Sequence, residues 1–195
     1  MLQSTANLPK SLTELFESNS GDPMLLKKRK YYYLFLAIGW TVLLFHLSSM
    51  SYTAQDIRPY LRLLVPEESL SAWLKGFEVN YDGRVISVES SGGYAFMEFL
   101  FRKAAHLFFY FMLGFVIVRY FQSFLHNRRW RVFLLSCSMV LFISMLDEYL
   151  QHLHPDRSGR WADVWLDCTG GLVGIVVGYI TSRASSIRKS ANHSM

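Results

Sequence analysis

The chain has 195 residues, of which 51% are hydrophobic and 16% aromatic, and its formal net charge is +5. This length accommodates one domain. The positive charge does not indicate nucleic-acid binding, because the basic residues flank long apolar runs instead of being interleaved with a soluble fold. The two cysteines both lie within apolar runs, so the composition excludes a disulfide framework and a metal-binding cysteine pair.

Four apolar runs are long enough, with their flanking residues, to cross a bilayer, for which a helix needs about 20 residues. We therefore predict an all-α integral membrane protein with four transmembrane helices. The predicted spans cover about residues 31–50, 101–121, 131–150 and 161–181. A soluble bundle would instead show a polar face along every run. A mostly polar segment precedes the first run, so we interpret this run as a retained helix and not as a signal peptide.

Lysine and arginine clusters predict the orientation of these helices. Lys27–Lys30 precedes the first span, His126–Arg131 joins the second to the third, and Ser182–Lys189 follows the fourth. All three clusters fall on one side, which the positive-inside rule assigns to the cytoplasm. The N-terminal tail (1–30) and the C-terminal tail (182–195) are therefore both predicted inside.

The loop 51–97 is predicted outside and contains four basic and six acidic residues. Within it, Asp82-Gly83 is a two-residue signal for a type I′ hairpin. The expected strand pairs are Tyr81 with Arg84, Val79 with Ile86, and Phe77 with Val88. A lone hairpin is only marginally stable, so it must pack against something.

Two short helices are also predicted in this loop. Thr53 with Asp56 can cap one of them. Pro66 can open the other, which would end at Gly76. We therefore expect a small, partly folded cap over the outer ends of the transmembrane helices.

The stretch "LDEYLQHLHPDRSGRWADVWLDCTGG" (Leu146–Gly171) carries an unusual density of charge for a segment between membrane spans. Helical spacing places its polar residues, with those of the second span, on one face of each helix. The three faces comprise Lys103, His106, Tyr110 and Gly114; Ser144, Glu148 and Gln151; and Asp163, Asp167, Gly170, Gly174 and Gly178. In the four-span topology these faces converge at the outer leaflet.

A carboxylate inside a membrane span is costly and normally faces a cavity or a partner charge. The partners available to Asp163 and Asp167 are Lys103, His106, Arg157 and Arg160. We therefore predict a polar pocket that opens to the outside and is partly sunk in the outer leaflet. Glycines at every fourth position allow close helix approach. Gly170, Gly174 and Gly178 can serve packing within one chain or in a homodimer, and the sequence does not separate the two.

Structural interpretations compete with this pocket. Glu148, Arg157 and Asp163 can form an ion-pair network that only locks the helices together. His106 can be an interhelical hydrogen-bonding residue, Tyr110 can be packing, and Arg102 can extend to the headgroups.

Two segments resemble the VanZ-like family of bacterial membrane proteins. They are "FRKAAHLFFYFMLG" (Phe101–Gly114) and "DEYLQHLHPDRSGRWADVWLDCTGGLVG" (Asp147–Gly174). "FHLSSMS" after the first span is similar to the short Ser-rich exit of the family. "GFEVNYDGRVISVES" resembles the outer-loop segment of members from Gram-positive bacteria of the Bacillus type. The resemblance covers about residues 31–181. It implies a multi-pass protein of a Gram-positive cell membrane. The family is named for a protein that gives low-level resistance to the lipoglycopeptide teicoplanin.

The first functional hypothesis is a site that binds or modifies a cell-envelope or lipid-linked molecule. A phosphate headgroup would meet Lys103, Arg157 and Arg160, within a pocket also lined by Tyr110 and Gln151. The catalytic candidates are His106, Glu148, Asp163 and Asp167. The first two would transfer protons. The two aspartates would orient the headgroup, or hold a divalent cation with Glu148, although no metal or cofactor is assigned.

Two alternatives remain. A non-enzymatic membrane protein would exclude or sequester an amphiphile such as a lipoglycopeptide, through exposed loop residues such as Trp73 or Tyr81. A small transporter ranks lowest, because four spans are few and no inverted repeat is visible.

No nucleophile pairs with a base by sequence, so whether the protein is an enzyme stays open. The expected partners are membrane lipids.

Overall fold

A computed structural model of the chain describes residues 23–125, 128–153 and 160–193, with side chains over 27–125, 128–153 and 160–182. The described helices are α1 (Pro23–Ser49), α2 (Arg58–Leu64), α3 (Glu67–Leu74), α4 (Val88–Ser91), α5 (Gly93–Gln122), α6 (Arg129–His152) and α7 (Trp161–His193). One antiparallel hairpin contains β1 (Glu78–Tyr81) and β2 (Arg84–Ser87).

Four helices of the described chain, α1, α5, α6 and α7, are long and apolar enough to cross a membrane, which confirms the predicted all-α fold with four spans. Their outer faces carry large exposed apolar side chains, including Phe35, Phe142 and Trp165 at 69%, 63% and 74% exposure. Such surfaces are stable in lipid and would be costly in water. The predicted inside location of both termini stays a prediction.

Helix α5 lies at the centre of the bundle and packs against α1, α6 and α7, while α7 also packs against α6. The buried apolar core comprises Leu44, Tyr110, Leu113, Ile117, Val118, Val132, Val140, Ile143 and Ile175. Most of these residues lie on α5 and α6, because each of these two helices packs against all three other long helices.

The glycines of α7 bring its backbone against that of α5. A Cβ atom at Gly174 would overlap the carbonyl oxygen of Phe111, and a Cβ at Gly170 would lie 2.5 Å from the carbonyl oxygen of Leu107. On the opposite side of this contact, a Cβ at Gly114 of α5 would overlap the carbonyl group of Gly171. The predicted glycine face therefore serves packing within the chain, where close backbone approach strengthens dispersion contacts.

The segment between α1 and α5, residues 50–92, covers one end of the bundle. We call this segment the cap and this end of the bundle the capped end. The cap contacts α5 through α2, α3 and α4. It has a small core of its own, formed by Leu70 and Leu74 of α3 with Tyr94 and Phe96 of α5. The predicted cap is therefore folded, and its core includes the first turn of α5.

The hairpin has the predicted register, with Tyr81 paired to Arg84 and Val79 to Ile86. Its turn has positive φ at both central residues, 55° at Asp82 and 73° at Gly83, as a type I′ turn requires. The predicted third pair, Phe77 with Val88, is wrong. The strands end one pair earlier because Ser87 caps α4 by accepting a hydrogen bond from the backbone N–H of Ser90 at 3.2 Å.

The helices of the cap agree only in part with those predicted from the sequence. Pro66 precedes the first residue of α3 as predicted, and this helix ends at Leu74, just before Gly76 with φ 83°. The prediction that Thr53 is a helix N-cap residue is wrong. Thr53 is instead the first residue of a short 3-10 helix (Thr53–Gln55), and Tyr52 occupies the N-cap position. Asp56 instead accepts the backbone N–H of Arg58 at 2.9 Å, at the start of α2.

Helix α5 begins at Gly93 and not near residue 101. The apolar pattern of a membrane span stops at Glu98, so the sequence does not show the two turns before it. Those turns are held by the cap, because Tyr94 donates a hydrogen bond to the carbonyl oxygen of Val65 at 2.8 Å. Gly93 itself lies under the backbone of α3, where a Cβ would be 3.5 Å from the carbonyl oxygen of Glu67.

Candidate functional site

At the capped end, Asp163 of α7 joins the cap to α5. Its carboxylate pairs with the ammonium group of Lys103 and accepts a hydrogen bond from the hydroxyl of Tyr81 in the hairpin. The Lys103 ammonium also lies 4.5 Å from the centre of the Tyr81 ring. Burial, followed by the hydrogen bond to Asp163, raises the pKa of the Tyr81 hydroxyl above its ordinary value. Tyr81 is therefore a protonated donor over the physiological range.

A second carboxylate of α7, Asp167, lies deeper and is fully buried. Its Oδ1 is 3.2 Å from Nδ1 of His106 on α5. Its Oδ2 accepts a hydrogen bond from the hydroxyl of Ser144 on α6 at 3.1 Å. One buried carboxylate thus joins all three helices whose polar faces converge in the sequence-based topology.

Asp147 of α6 is 1% exposed and lies beside this group. Its Oδ2 accepts hydrogen bonds from the hydroxyl of Tyr110 at 3.3 Å and from the side-chain amide of Gln151 at 3.2 Å. The amide of Gln151 also reaches the hydroxyl of Ser48 on α1 at 2.6 Å. One ligand atom from each of His106, Asp147 and Asp167 lies within 4.8 Å of the other two. These three residues are called the HDD cluster below.

A cluster that the sequence did not indicate lies at the start of α5. Glu98 is 3% exposed and pairs with Arg58 of α2 at 3.0 Å and with Arg102 of α5 at 3.1 Å. Arg58 also pairs with Asp56 at 2.8 Å, and this hydrogen bond lowers the pKa of the Asp56 carboxyl. The Arg102 guanidinium stacks over Tyr52, 4.1 Å from the ring centre. These residues attach the cap to the bundle.

The two clusters face one cavity of about 260 Å³ between α1 and α5. Its polar lining includes Glu98 and Arg102 from the cap junction, and His106 and Asp147 from the HDD cluster. The remainder is largely apolar and aromatic, contributed by Leu44, Leu47, Ile57, Phe101, Ala105 and Phe109. We call it the α1–α5 cavity. An apolar chamber with a few convergent polar groups is the usual form of a small-molecule site.

The family model described as VanZ/LLP1 matches residues 33–182, which include the cap, α5, α6 and most of the two other candidate membrane spans. The chain belongs to the VanZ/LLP1 family. Comparisons with curated proteins and with solved structures gave no match. Together with the four apolar helices, the family membership identifies a multi-pass membrane protein.

Most residues predicted as the site of this VanZ/LLP1 protein lie at the capped end. Lys103 pairs with Asp163, His106 with Asp167, and Tyr110 and Gln151 both bind Asp147. Arg157 lies outside the described residues, so its role in binding stays a prediction. Tyr81, predicted as an exposed loop residue, is instead half-buried against α7, because its hydroxyl reaches Asp163. Trp73 is 85% exposed, as that prediction requires.

Glu148 does not share the α1–α5 cavity of this VanZ/LLP1 protein. Its Oε1 accepts the backbone N–H of Arg160, just before α7 begins. It lines a second cavity of about 350 Å³ with Tyr149 and Trp161, between α6 and α7. Its Oε2 is buried without a hydrogen-bond partner among the described residues. Of the four predicted catalytic residues, His106 lines the α1–α5 cavity and Glu148 lines the second one, while Asp163 and Asp167 line neither of these two cavities.

Sequence reasoning missed Asp147 and Glu98. Asp147 is spaced three residues from Ser144 and four from Gln151, so it shares their helix face as well as Glu148 does. The spacing alone therefore left two candidates on α6, and the bundle turns Asp147 toward α5. Glu98 lay between the predicted loop (51–97) and the predicted span (101–121), where a carboxylate did not stand out. The signal that could have found it is its pairing with Arg102 one helical turn later.

Proposed function

We propose that the α1–α5 cavity binds a lipid-linked cell-envelope molecule, with the acyl part among the apolar side chains and the headgroup at the polar ones. The observation that carries this proposal is the division of one cavity lining into an apolar wall and two ionisable clusters. A soluble metabolite would not need the apolar wall, and a simple lipid-packing groove would not need buried carboxylates. A molecule with both parts suits both features.

The apolar wall lies between α1 and α5. Leu47 of α1 is half-buried, while Phe101 and Ala105 of α5 are exposed. A cavity bordered by exposed apolar residues of α5 and a half-buried apolar residue of α1 is accessible from the lipid phase. The acyl chain of a molecule that enters sideways from the bilayer is already in an apolar phase, so the apolar wall lets the chain enter without an energetic penalty. Selectivity must then come from the polar groups of the same cavity.

The cap junction suits an anionic headgroup. The Arg102 side chain is 21% exposed and lines the cavity, and Arg58 beside it is 37% exposed. One carboxylate, Glu98, is shared between them. A guanidinium has several N–H donors in a planar fork, so donors remain for a phosphate group. We therefore assign to Arg102 the headgroup contact that was predicted for Lys103, because the ammonium group of Lys103 is paired with Asp163.

His106 supports a chemical role for the same cavity. Its ring lines the cavity, and one ring nitrogen is oriented by Asp167. A histidine held in one orientation by a buried carboxylate is the arrangement that proton transfer requires. A headgroup seated near Arg102 would lie one helical turn away, since residues four apart share a helix face. Proton transfer at a phosphate or hydroxyl group is the reaction that this arrangement suits.

We further propose that the capped end faces outside, as the basic clusters predict, and that occupation of the cavity alters teicoplanin susceptibility. Teicoplanin carries an acyl chain and acts at the outer face of the membrane on lipid-linked precursors. A protein that binds or alters such precursors, or the drug itself, would change the drug's effect. Vancomycin lacks the acyl chain and is the matched control drug.

The experiment uses a pair of variants at neighbouring positions of α5. Ala105→Trp places a bulky ring in the α1–α5 cavity, whereas Ala104→Trp places the same ring on an exposed position that is not part of the cavity lining. Both proteins and the wild type are expressed at matched membrane levels in a Gram-positive host lacking its own family members. Susceptibility is measured for teicoplanin and vancomycin, and lipids that copurify in mild detergent are identified by mass spectrometry.

The proposal expects wild type and Ala104→Trp to protect selectively against teicoplanin and to retain the same phospholipid or lipid-linked species. Ala105→Trp should lose both the protection and the copurifying species. Equal behaviour of the two tryptophan variants would overturn the cavity as the binding site. If the wild type gives no protection but still retains lipids selectively, the proposed effect on teicoplanin susceptibility is overturned and the proposed lipid binding stands.

A second candidate function is exclusion or sequestration of an amphiphile by the cap. It is favoured by large apolar side chains that the cap leaves exposed, with Leu63, Leu64 and Trp73 at 84%, 76% and 85%. In this case the clusters at the capped end would be scaffold. Trp73→Ser would then remove protection while Ala105→Trp would leave it unchanged, which is the opposite of the first outcome.

A further inference from the structure

We propose that the HDD cluster of His106, Asp147 and Asp167 binds one divalent transition-metal ion, such as Zn²⁺ or Mn²⁺. The three residues come from α5, α6 and α7, and one ligand atom of each lies within 4.8 Å of the other two. The ligand set differs from the one the sequence suggested, which was Asp163, Asp167 and Glu148. The geometry places Asp163 in an ion pair with Lys103 and Glu148 in another cavity.

Both carboxylates of the HDD cluster are held by neutral donors on one oxygen only. Ser144 donates to Oδ2 of Asp167, while Tyr110 and Gln151 donate to Oδ2 of Asp147. The other oxygen of Asp167 contacts Nδ1 of His106, and the other oxygen of Asp147 has no hydrogen-bond partner among the described residues. Hydrogen bonds from outside that fix the orientation of the ligands are a regular feature of metal sites.

The second carboxylate oxygen of Asp147, Oδ1, supports a metal site independently of the ligand spacing. Asp147 is 1% exposed, and its Oδ1 has no hydrogen-bond partner among the described residues. A buried acceptor left unpaired is costly, since burial removes its hydration without replacement. A metal ion would satisfy this oxygen directly.

Charge balance supports the same conclusion. Asp147 and Asp167 are 1% and 0% exposed, and their ligand atoms lie within 4.8 Å of each other. Ser144, Tyr110 and Gln151 carry no charge, and among the described contacts of the two carboxylates His106 is the one group that can be a cation. Two adjacent carboxylates inside a membrane domain can both stay ionised only if positive charge lies close to them. A divalent ion supplies it while His106 remains a neutral ligand.

The spacing is compatible with coordination. Ligands at about 2.0–2.2 Å from a metal are about 3.0–3.5 Å apart, and Nδ1 of His106 is 3.2 Å from Oδ1 of Asp167. The Asp147 ligand atom lies within 4.8 Å of the other two and would have to move closer to them on coordination. One imidazole with two carboxylates suits Zn²⁺ or Mn²⁺ better than Ca²⁺ or Cu⁺. His106 and Asp147 also line the α1–α5 cavity, so a bound ion would keep positions open toward it.

The test measures metal in purified protein without any amphiphile. Untagged full-length protein in mild detergent is stripped with a chelator, incubated with Zn²⁺ or Mn²⁺, desalted and analysed by inductively coupled plasma mass spectrometry. Asp147→Asn and Asp167→Asn remove one ligand charge each but keep similar size. Asp163→Asn is the matched control, because it removes a carboxylate of the same helix that lies outside the HDD cluster. Size-exclusion profiles verify that each variant is folded.

Wild type and Asp163→Asn should bind one equivalent of metal, and both ligand variants should lose it. The wild type should also unfold at a higher temperature with metal than after chelation, and this difference should vanish in the ligand variants. If the stripped wild type binds neither ion, or if Asp163→Asn loses the metal as the ligand variants do, the HDD site is overturned. Metal binding is measured without lipid, so its failure leaves the lipid-binding proposal and its Ala105→Trp test intact.

Discussion

Gly174 of α7 lies directly against the backbone of Phe111 in α5, so close that any Cβ at this position would overlap the Phe111 carbonyl oxygen. The contact is the tightest point of an interface that also includes Gly170 against Leu107 and Gly114 against Gly171. This interface fixes the depth of α7 relative to α5. It thereby sets Asp167 beside His106 and Asp163 beside Lys103.

Gly174→Ala should destabilise the protein by about 1–3 kcal/mol, because the methyl group meets rigid backbone and not a flexible side chain. Alanine favours a helix over glycine by up to about 1 kcal/mol, so a net loss identifies packing as the cause. The measurement is the unfolding temperature in detergent, followed by loss of the monodisperse size-exclusion peak.

Gly39→Ala is the control for that measurement. Gly39 lies in α1, and no atom of a neighbouring group lies within 4 Å of the place that an alanine methyl group would take. Its replacement should therefore leave the unfolding temperature unchanged or slightly raised. Equal effects at Gly39 and Gly174 would contradict the tight α5–α7 contact. A change in oligomeric state caused by Gly174→Ala alone would instead favour the homodimer that the glycine spacing also allowed.

Much of the fold could be predicted from residues whose role is local. Four long apolar runs predict four membrane helices, and Asp82-Gly83 fixes the hairpin register, because each signal depends only on nearby sequence. The site depends on which face of each helix meets a neighbour. Asp147 and Glu148 are adjacent in sequence and equally polar, yet the bundle directs one toward Tyr110 and the other toward Arg160. That choice follows from the rotation of α6, which depends on its packing against the other long helices and not on its local sequence.

Tyr81→Phe should weaken the attachment of the hairpin to α7. The ring would keep its edge-to-face contact with Phe99, at 5.4 Å between ring centres, but the hydrogen bond to Asp163 would be lost. A hydrogen bond to a charged acceptor contributes about 1.5–3 kcal/mol. Hydrogen–deuterium exchange should therefore quicken for β1 and β2. Tyr60→Phe, at a cap position that is 68% exposed, should leave the exchange unchanged.

The same hydrogen bond predicts a dependence on alkaline pH. Burial and Asp163 raise the pKa of Tyr81 in the folded protein above its ordinary value of 10.0. Because the folded pKa is the higher one, the stabilisation is complete below pH 10.0 and declines as the pH rises from there toward the folded pKa. The stability difference between wild type and Tyr81→Phe should be constant from neutral pH to about pH 10 and then narrow. A difference that grows above that pH would contradict the assignment.

Glu98→Gln should loosen the junction between the cap and α5. Glutamine keeps the size of the side chain but removes the charge that Arg58 and Arg102 share. Both arginines are partly exposed, so solvent screens part of the loss, and we expect a cost of about 1–3 kcal/mol. The unfolding temperature should fall more at low salt than at high salt. Glu78→Gln, at an exposed position of β1, should have no effect.

His106→Asn should abolish selective protection against teicoplanin while the protein remains folded. The shorter amide can still approach the hydrogen-bonding position of Nδ1 beside Asp167, but it cannot transfer a proton, so the α1–α5 cavity loses its imidazole. His46→Asn, at an exposed position near the end of α1, controls for loss of an imidazole at the same end of the bundle. Trp73→Ser controls for the exposed surface of the cap. Protection is measured at matched membrane levels, with vancomycin beside teicoplanin. Loss in His106→Asn alone supports the cavity as the functional site, whereas loss in Trp73→Ser alone assigns the effect to the cap and reduces the buried clusters to scaffold.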